Sequence, residues 1–212
     1  MINPQLKEYV ENNVLPQYEN NDSGHGLEHI KYVIKRSLEF AKQVQDVELD
    51  MVYTVACYHD IGHYIDAKNH EKVSAELFKS DLNMTNFFNN EQINLIFEAI
   101  QDHRASGDLE PRSVYGKIVS SADRRTDMNN VMKTMYAYRL KHSPHFTIEE
   151  NIEEAYQHMC RKFAKGGYAT EKMYFKDVDY EKMLEQAEWY KNHKEDFVKT
   201  YSAINHLNVN QQ

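Results

Sequence analysis

Glycine and proline are scarce in this chain, at 7 and 4 of 212 residues. So few chain breakers exclude a turn-rich sheet protein and favour helices. Cysteine is nearly absent: Cys57 and Cys160 are the only two, too few for a disulfide framework. A reducing compartment fits that count, and Cys57 reads as a small hydrophobe within an apolar run. There is no dense Lys/Arg tract, and the formal net charge is -8. That balance argues against a broad nucleic-acid footprint and against docking on an anionic membrane surface. No apolar stretch is long enough to span a bilayer, and the first residues, Met1 to Glu8, lack a secretory apolar region. The expectation is a soluble cytoplasmic protein with neither a nucleic-acid nor a membrane partner.

What the chain does contain is apolar spacing of helical period. Pro4 opens a predicted helix over about residues 4–19. A second, over about 26–45, carries Ile30, Val33, Ile34, Leu38, Ala41 and Val44 on one side. A third, over about 48–60, is apolar nearly all round and is predicted to be deeply buried. Further helices are predicted over about 68–80, 91–104, 112–123, 148–165 and 178–206. Thr147 and Glu150 have capping-box spacing for the helix from 148, and Gly166-Gly167 ends it. Residues 81–90 read as a connection, as do His142 and His145 around Ser143-Pro144. With no linker in sight, the fold class is all-α: one helical bundle over 1–212, a motif-bearing core at about 20–125 and C-terminal helices at about 128–206 packed on it.

Polar residues interrupt this pattern at chosen points. His59-Asp60 closes the apolar run from Met51 to Tyr58. An imidazole and a carboxylate are costly to bury there unless something satisfies them. A divalent cation does so, because both are good ligands. His29 stands thirty residues before His59, and Asp123 sixty-three after Asp60. The set His29, His59, Asp60 and Asp123 offers two nitrogens and two carboxylates, leaving room for water and a substrate oxygen. Such a mixture suits Mn, Fe, Co, Ni or Zn better than Mg alone. Ordinary hydrogen-bonded buried polar residues would occupy the same helical faces.

Three short stretches go further: His25-Gly26-Leu27-Glu28-His29, His59-Asp60-Ile61-Gly62-His63 and Ser121-Ala122-Asp123-Arg124. In this order residues 20–125 resemble the HD-domain superfamily of metal-dependent phosphohydrolases, in particular its small bacterial members. The resemblance implies a helical bundle with His29, His59, Asp60 and Asp123 as ligands. It also implies a small phosphorylated substrate, most plausibly a nucleotide. His70 and His103 fall where two-metal members place extra histidines, so Asp60 would be shared between two ions. The implied chemistry is in-line attack on phosphorus by a metal-activated water. Asp60, His63 and Arg124 are then the catalytic candidates, His63 as proton donor or phosphate contact and Arg124 as the cation facing the phosphoryl oxygens. Lys72, Arg104 and Lys117 are the other cations near in sequence, and Tyr64 is a candidate substrate contact. His25 caps the following helix or touches substrate.

The chain departs from some relatives. Gly62-His63-Tyr64 stands where hydrolases of guanosine tetraphosphate carry Glu-Asp. Lys68 replaces a downstream histidine of deoxynucleoside triphosphohydrolases, and Gly26 replaces a frequent aspartate. Two other readings share the ligand set: a di-iron oxygenase-type enzyme on the same scaffold, and a non-catalytic metal-containing nucleotide sensor. A homo-oligomer is compatible with all three.

Overall fold

The computed structural model describes residues 1–22, 24–104, 110–170 and 173–207. Among them are ten α-helices and two 3₁₀ segments, with no strand, as an all-α fold requires. The chain divides into two compact units, Met1–Asp123 and Arg124–Gln212. No helix among the described residues is long and apolar enough to cross a membrane.

The first unit holds α1 (Pro4–Asn13), a 3₁₀ segment (Leu15–Asn20), α2 (Leu27–Ala41), α3 (Leu49–Tyr58) and α4 (His70–Ser80). A second 3₁₀ segment (Leu82–Asn86), α5 (Asn90–Asp102) and α6 (Val114–Ala122) complete it. Helix α3 is its axis: every residue from Met51 to Tyr58 is buried. Such a helix has no face for water, so it needs neighbours on several sides. It has α2, α5 and α6 against it, with α1 and α4 touching more lightly. Burying a side chain such as Val52 or Val55 contributes about 1.5–3 kcal/mol.

The first predicted helix is in fact two pieces. Pro16 has no amide hydrogen, and its ring opposes a continuous α-helix, so α1 ends at Asn13 and Leu15–Asn20 is 3₁₀. Asn89 caps α5 in a capping box with Gln92. The predicted connection at 81–90 contains the 3₁₀ segment, nucleated by Asp81 accepting from Asn83 N–H.

The second unit contains α7 (Met128–His142), α8 (Ile148–Phe163), α9 (Val178–Asn192) and α10 (Lys194–Ile204). Its core includes Met132, Ala155, Met159, Ala187, Phe197 and Tyr201. The Thr147–Glu150 capping box is present, and Gly166 ends the α8 region with φ +83, a conformation that favours glycine. One expectation needs correction. Residues 178–206 are not one helix, because His193 leaves helical geometry between α9 and α10. Helix α7 falls within the C-terminal helices expected over about 128–206, but the sequence gives it no bounds of its own. Its buried face, Met128, Val131, Met132, Met135 and Arg139, has helical spacing. It is short of aliphatic residues and ends on an arginine, which blurs the signal. His142 is its last residue and His145 lies in the turn that follows.

Candidate metal centre

Five helix ends of the first unit converge on one place. His29 stands in the first turn of α2, and His70 is the first residue of α4. His59, His103 and Asp123 are the C-caps of α3, α5 and α6. Asp60 follows His59 in the turn after α3. The structure therefore brings together all six residues predicted as ligands.

They form two groups that share Asp60: His29, His59, Asp60 and Asp123, and Asp60, His70 and His103. Asp60 Oδ2 lies 3.4 Å from His59 Nε2 and 3.7 Å from His29 Nε2. Asp123 Oδ1 lies 3.0 Å from His29 Nε2 and 3.7 Å from His59 Nε2. The other oxygen of Asp60, Oδ1, lies 3.3 Å from His70 Nε2 and 3.4 Å from His103 Nε2. Donors about 2.1 Å from an ion stand roughly 3.0–3.5 Å from one another around it, so these separations suit coordination.

The backbone decides which nitrogen faces inward. Nδ1 of His59 donates to Ala56 O at 2.8 Å, and Nδ1 of His103 to Ile100 O at 2.7 Å. Each bond satisfies a carbonyl in the last turn of its own helix. Nδ1 of His70 donates to Ala67 O at 3.0 Å. With the proton on Nδ1, the neutral ring turns a bare Nε2 toward the centre, the arrangement found in ligating histidines. His70 Nε2 and His103 Nε2 then face each other at 3.3 Å, beside Asp60 Oδ1. While both rings are neutral, three acceptors meet there. His29 Nε2, His59 Nε2 and Asp60 Oδ1 are buried and make no hydrogen bond. A buried polar group left this way is costly, and a cation would satisfy all of them. The residues present fit a divalent metal.

Without an ion the groups adjust one another. Burial disfavours charge on His59, yet the Asp60 and Asp123 carboxylates outweigh it and raise its pKa to about 9. Burial also works against ionised Asp60 and Asp123; the adjacent histidines prevail and hold both carboxyls below their usual range. His70 goes the other way. Burial and then the His103 charge lower it to about 4, which keeps it neutral and able to ligate.

Residues that the sequence did not single out brace the His59-Asp60 turn. Tyr18, fully buried, donates its hydroxyl to Cys57 O at 2.8 Å and accepts from Asp60 N–H at 3.3 Å. Asn21 donates to Asp60 O and His25 O, and its own oxygen accepts from Tyr64 N–H. Gly62 donates to Ser74 Oγ at 3.0 Å, seating the turn against α4. The only sequence signal for Tyr18 and Asn21 was polar capacity just before the first motif.

The remaining candidates divide. His63 stacks on His25 with centroids 3.7 Å apart, and its ring centre is 5.3 Å from that of His70. His25 does not cap α2, whose N-cap is Gly26; its Nδ1 meets Asp22 Oδ1 at 2.9 Å. Asp22, His25 and His63 offer three ligand atoms close together. The two rings are only 19° from parallel, however, so their in-plane lone pairs run side by side instead of meeting at an ion. Tyr64 is exposed beside them. Arg124 is buried, donating to Ala169 O at 3.4 Å with its guanidinium over the Tyr180 ring. Lys117 pairs with Glu110 and Lys72 is exposed. Arg104 bonds to Lys68 O and to Glu71, which adjoins His70 in sequence.

The HD domain family profile matches residues 26–128, which include all six ligand candidates. No curated protein matches the sequence. A solved structure described as a predicted HD superfamily hydrolase, from an uncultured Thermotogales bacterium, superposes with a TM-score of 0.51. Its identity is 20%, over 94% of this chain and 92% of that one. A likeness at that identity speaks for the fold.

Proposed function

The chain carries an HD domain over residues 26–128, and on that premise we propose that it is a metal-dependent phosphohydrolase. It would cleave a phosphoester or phosphoanhydride bond of a small substrate, most plausibly a nucleotide. One observation carries the reading: Asp60 offers Oδ2 to His29 and His59 and Oδ1 to His70 and His103. A carboxylate divided in this way suits two ions side by side, the arrangement that serves in-line displacement at phosphorus.

His29, His59, Asp60 and Asp123 would hold one ion, and Asp60, His70 and His103 the other. Nitrogen-rich donors favour Mn, Fe, Co, Ni or Zn over Mg alone. Bound there, such ions supply hydroxide at neutral pH by lowering the pKa of their water toward about 7, together with countercharge for phosphoryl oxygens. The chain's own groups do the rest. Tyr18 and Asn21 fix the turn that presents Asp60. His63, beside His70, is the proton donor or phosphate contact. Burial and then the His25 charge lower its pKa, which favours the phosphate contact, made by a neutral ring donating a hydrogen bond. Arg124 lies against Ala169 and Tyr180, so Arg104 is the better-placed cation for substrate oxygens. In keeping with the charge balance, we assign the enzyme a small phosphorylated substrate in the cytoplasm, without a nucleic-acid or membrane partner.

The test is phosphate release from a panel of nucleotides and simple phosphoesters, with Mn²⁺ or Co²⁺ added to metal-stripped protein. Metal-dependent release that Asp60→Ala abolishes is the expected result. Oxygen consumption without phosphate release would replace this reading with an oxygenase, and tight nucleotide binding without turnover would replace it with a sensor.

A further inference from the structure

Arg36 is a buried cation on α2. Its Nη1 donates to Ala122 O at 2.7 Å, and its guanidinium carbon lies 5.2 Å and 5.1 Å from the ring centres of Tyr32 and Phe40. Ala122 is the last residue of α6, and Asp123 is its C-cap. Arg36 follows His29 by seven residues, two helical turns further along the same face. Helix α2 therefore grips the end of α6 twice. His29 meets the Asp123 carboxylate at 3.0 Å, and Arg36 binds the carbonyl of the preceding residue.

Stability alone is a weak reason for this arginine. A buried charge is expensive to desolvate, and well-packed apolar side chains often serve as well or better. A guanidinium offers something they cannot: a directed hydrogen bond to one peptide, at a helix C-terminus where positive charge is favoured. The peptide it holds is the one that leads into Asp123. We infer that Arg36 is a positioning residue that sets the Asp123 carboxylate for the ion held with His29 and His59. This rests on the metal site proposed above.

The experiment titrates metal-stripped full-length protein with Co²⁺, following affinity by calorimetry and ligand geometry by the visible absorption of bound Co²⁺. The chains are wild type, Arg36→Met, Arg36→Lys and the control Phe40→Leu. The control disturbs the same packing yet keeps the hydrogen bond to Ala122. Arg36→Met should weaken Co²⁺ binding about 10–100-fold, the usual effect of losing an outer-shell partner, and should change the spectrum. Arg36→Lys should recover part of the affinity, and Phe40→Leu should bind as wild type even if it melts earlier. Wild-type affinity and spectrum in Arg36→Met overturn the inference; if that variant does not fold, the same result in Arg36→Lys overturns it. Equal weakening in Phe40→Leu also overturns it, by showing a general packing effect. A wild type that binds no Co²⁺ overturns the metal site itself.

Discussion

Asp60 Oδ1 stands 3.3 Å from His70 Nε2, while Oδ2 of the same carboxylate faces His29 and His59. One side chain thus belongs to two donor sets. Asp60→Asn keeps the shape and removes the charge that both sets share. It should lower metal content at both positions and reduce phosphate release by more than the about 10–100-fold typical of losing a mere outer-shell partner. Elemental analysis of dialysed protein beside a turnover assay checks this, and normal ion content would contradict a shared carboxylate.

His70 and His103 serve only the second set. Replacing either with alanine should reduce the bound ions from two to one per chain and leave the His29–His59–Asp123 position filled. Anomalous scattering at a metal edge reads the outcome directly. Two full peaks in His103→Ala would remove that residue from the ligand set.

Gly62 lies hard against α4. A Cβ there would lie 2.7 Å from Val73 Cγ1 and 2.8 Å from Ser74 N. Part of that obstruction is backbone, so α4 must move. Gly62→Ala should destabilise the metal-free protein by about 1–3 kcal/mol, as overpacking does. The shift carries His70 with it, so the second ion should weaken too. A thermal melt and a Co²⁺ titration of the variant give both numbers, and a melt unchanged from wild type would contradict the close approach.

His158 lies on α8 in the second unit, away from the candidate ligands in sequence and outside their unit. Burial, then the charges of Lys162, Arg139 and Arg161, lower it to about 4. The unfolded chain takes up this proton near pH 6.5, so stability from the neutral folded ring is whole above about pH 6.5 and drains away as pH falls toward 4. After allowance for solvent screening the loss should be about 1–2 kcal/mol. Denaturant unfolding of metal-stripped wild type and His158→Gln at pH 7 and pH 4.5 isolates it. The variant should lose less stability than wild type, and parallel losses would count against the assignment.

Much of this was legible in the sequence because the informative residues sit at helix ends. A polar residue that closes an apolar run, as His59-Asp60 does after Met51–Tyr58, shows both where the helix stops and what it presents. Asp123 after α6 and His103 after α5 follow the same rule. Residues acting through bonds distant in sequence were not legible. Tyr18 reaches Cys57 and Asp60, and Arg36 reaches Ala122, and no periodicity announces such pairings. For Arg124, adjacency to Asp123 says nothing about direction; its side chain meets Ala169 O and the Tyr180 ring. The bounds of helix α7 are not legible in the sequence because methionines and an arginine line the stripe where aliphatic residues give the clearer signal. The break at His193 has no proline or glycine to mark it.

The imidazoles of His59 and His103 each plug the end of their own helix with one nitrogen. In a neutral ring, the hydrogen committed to that plug is the one the opposite edge must do without. Winding α3 and α5 therefore aims two ring edges at the hollow before anything enters it, and a mutation that frayed either terminus would blunt the appetite for cations without touching a single donor atom.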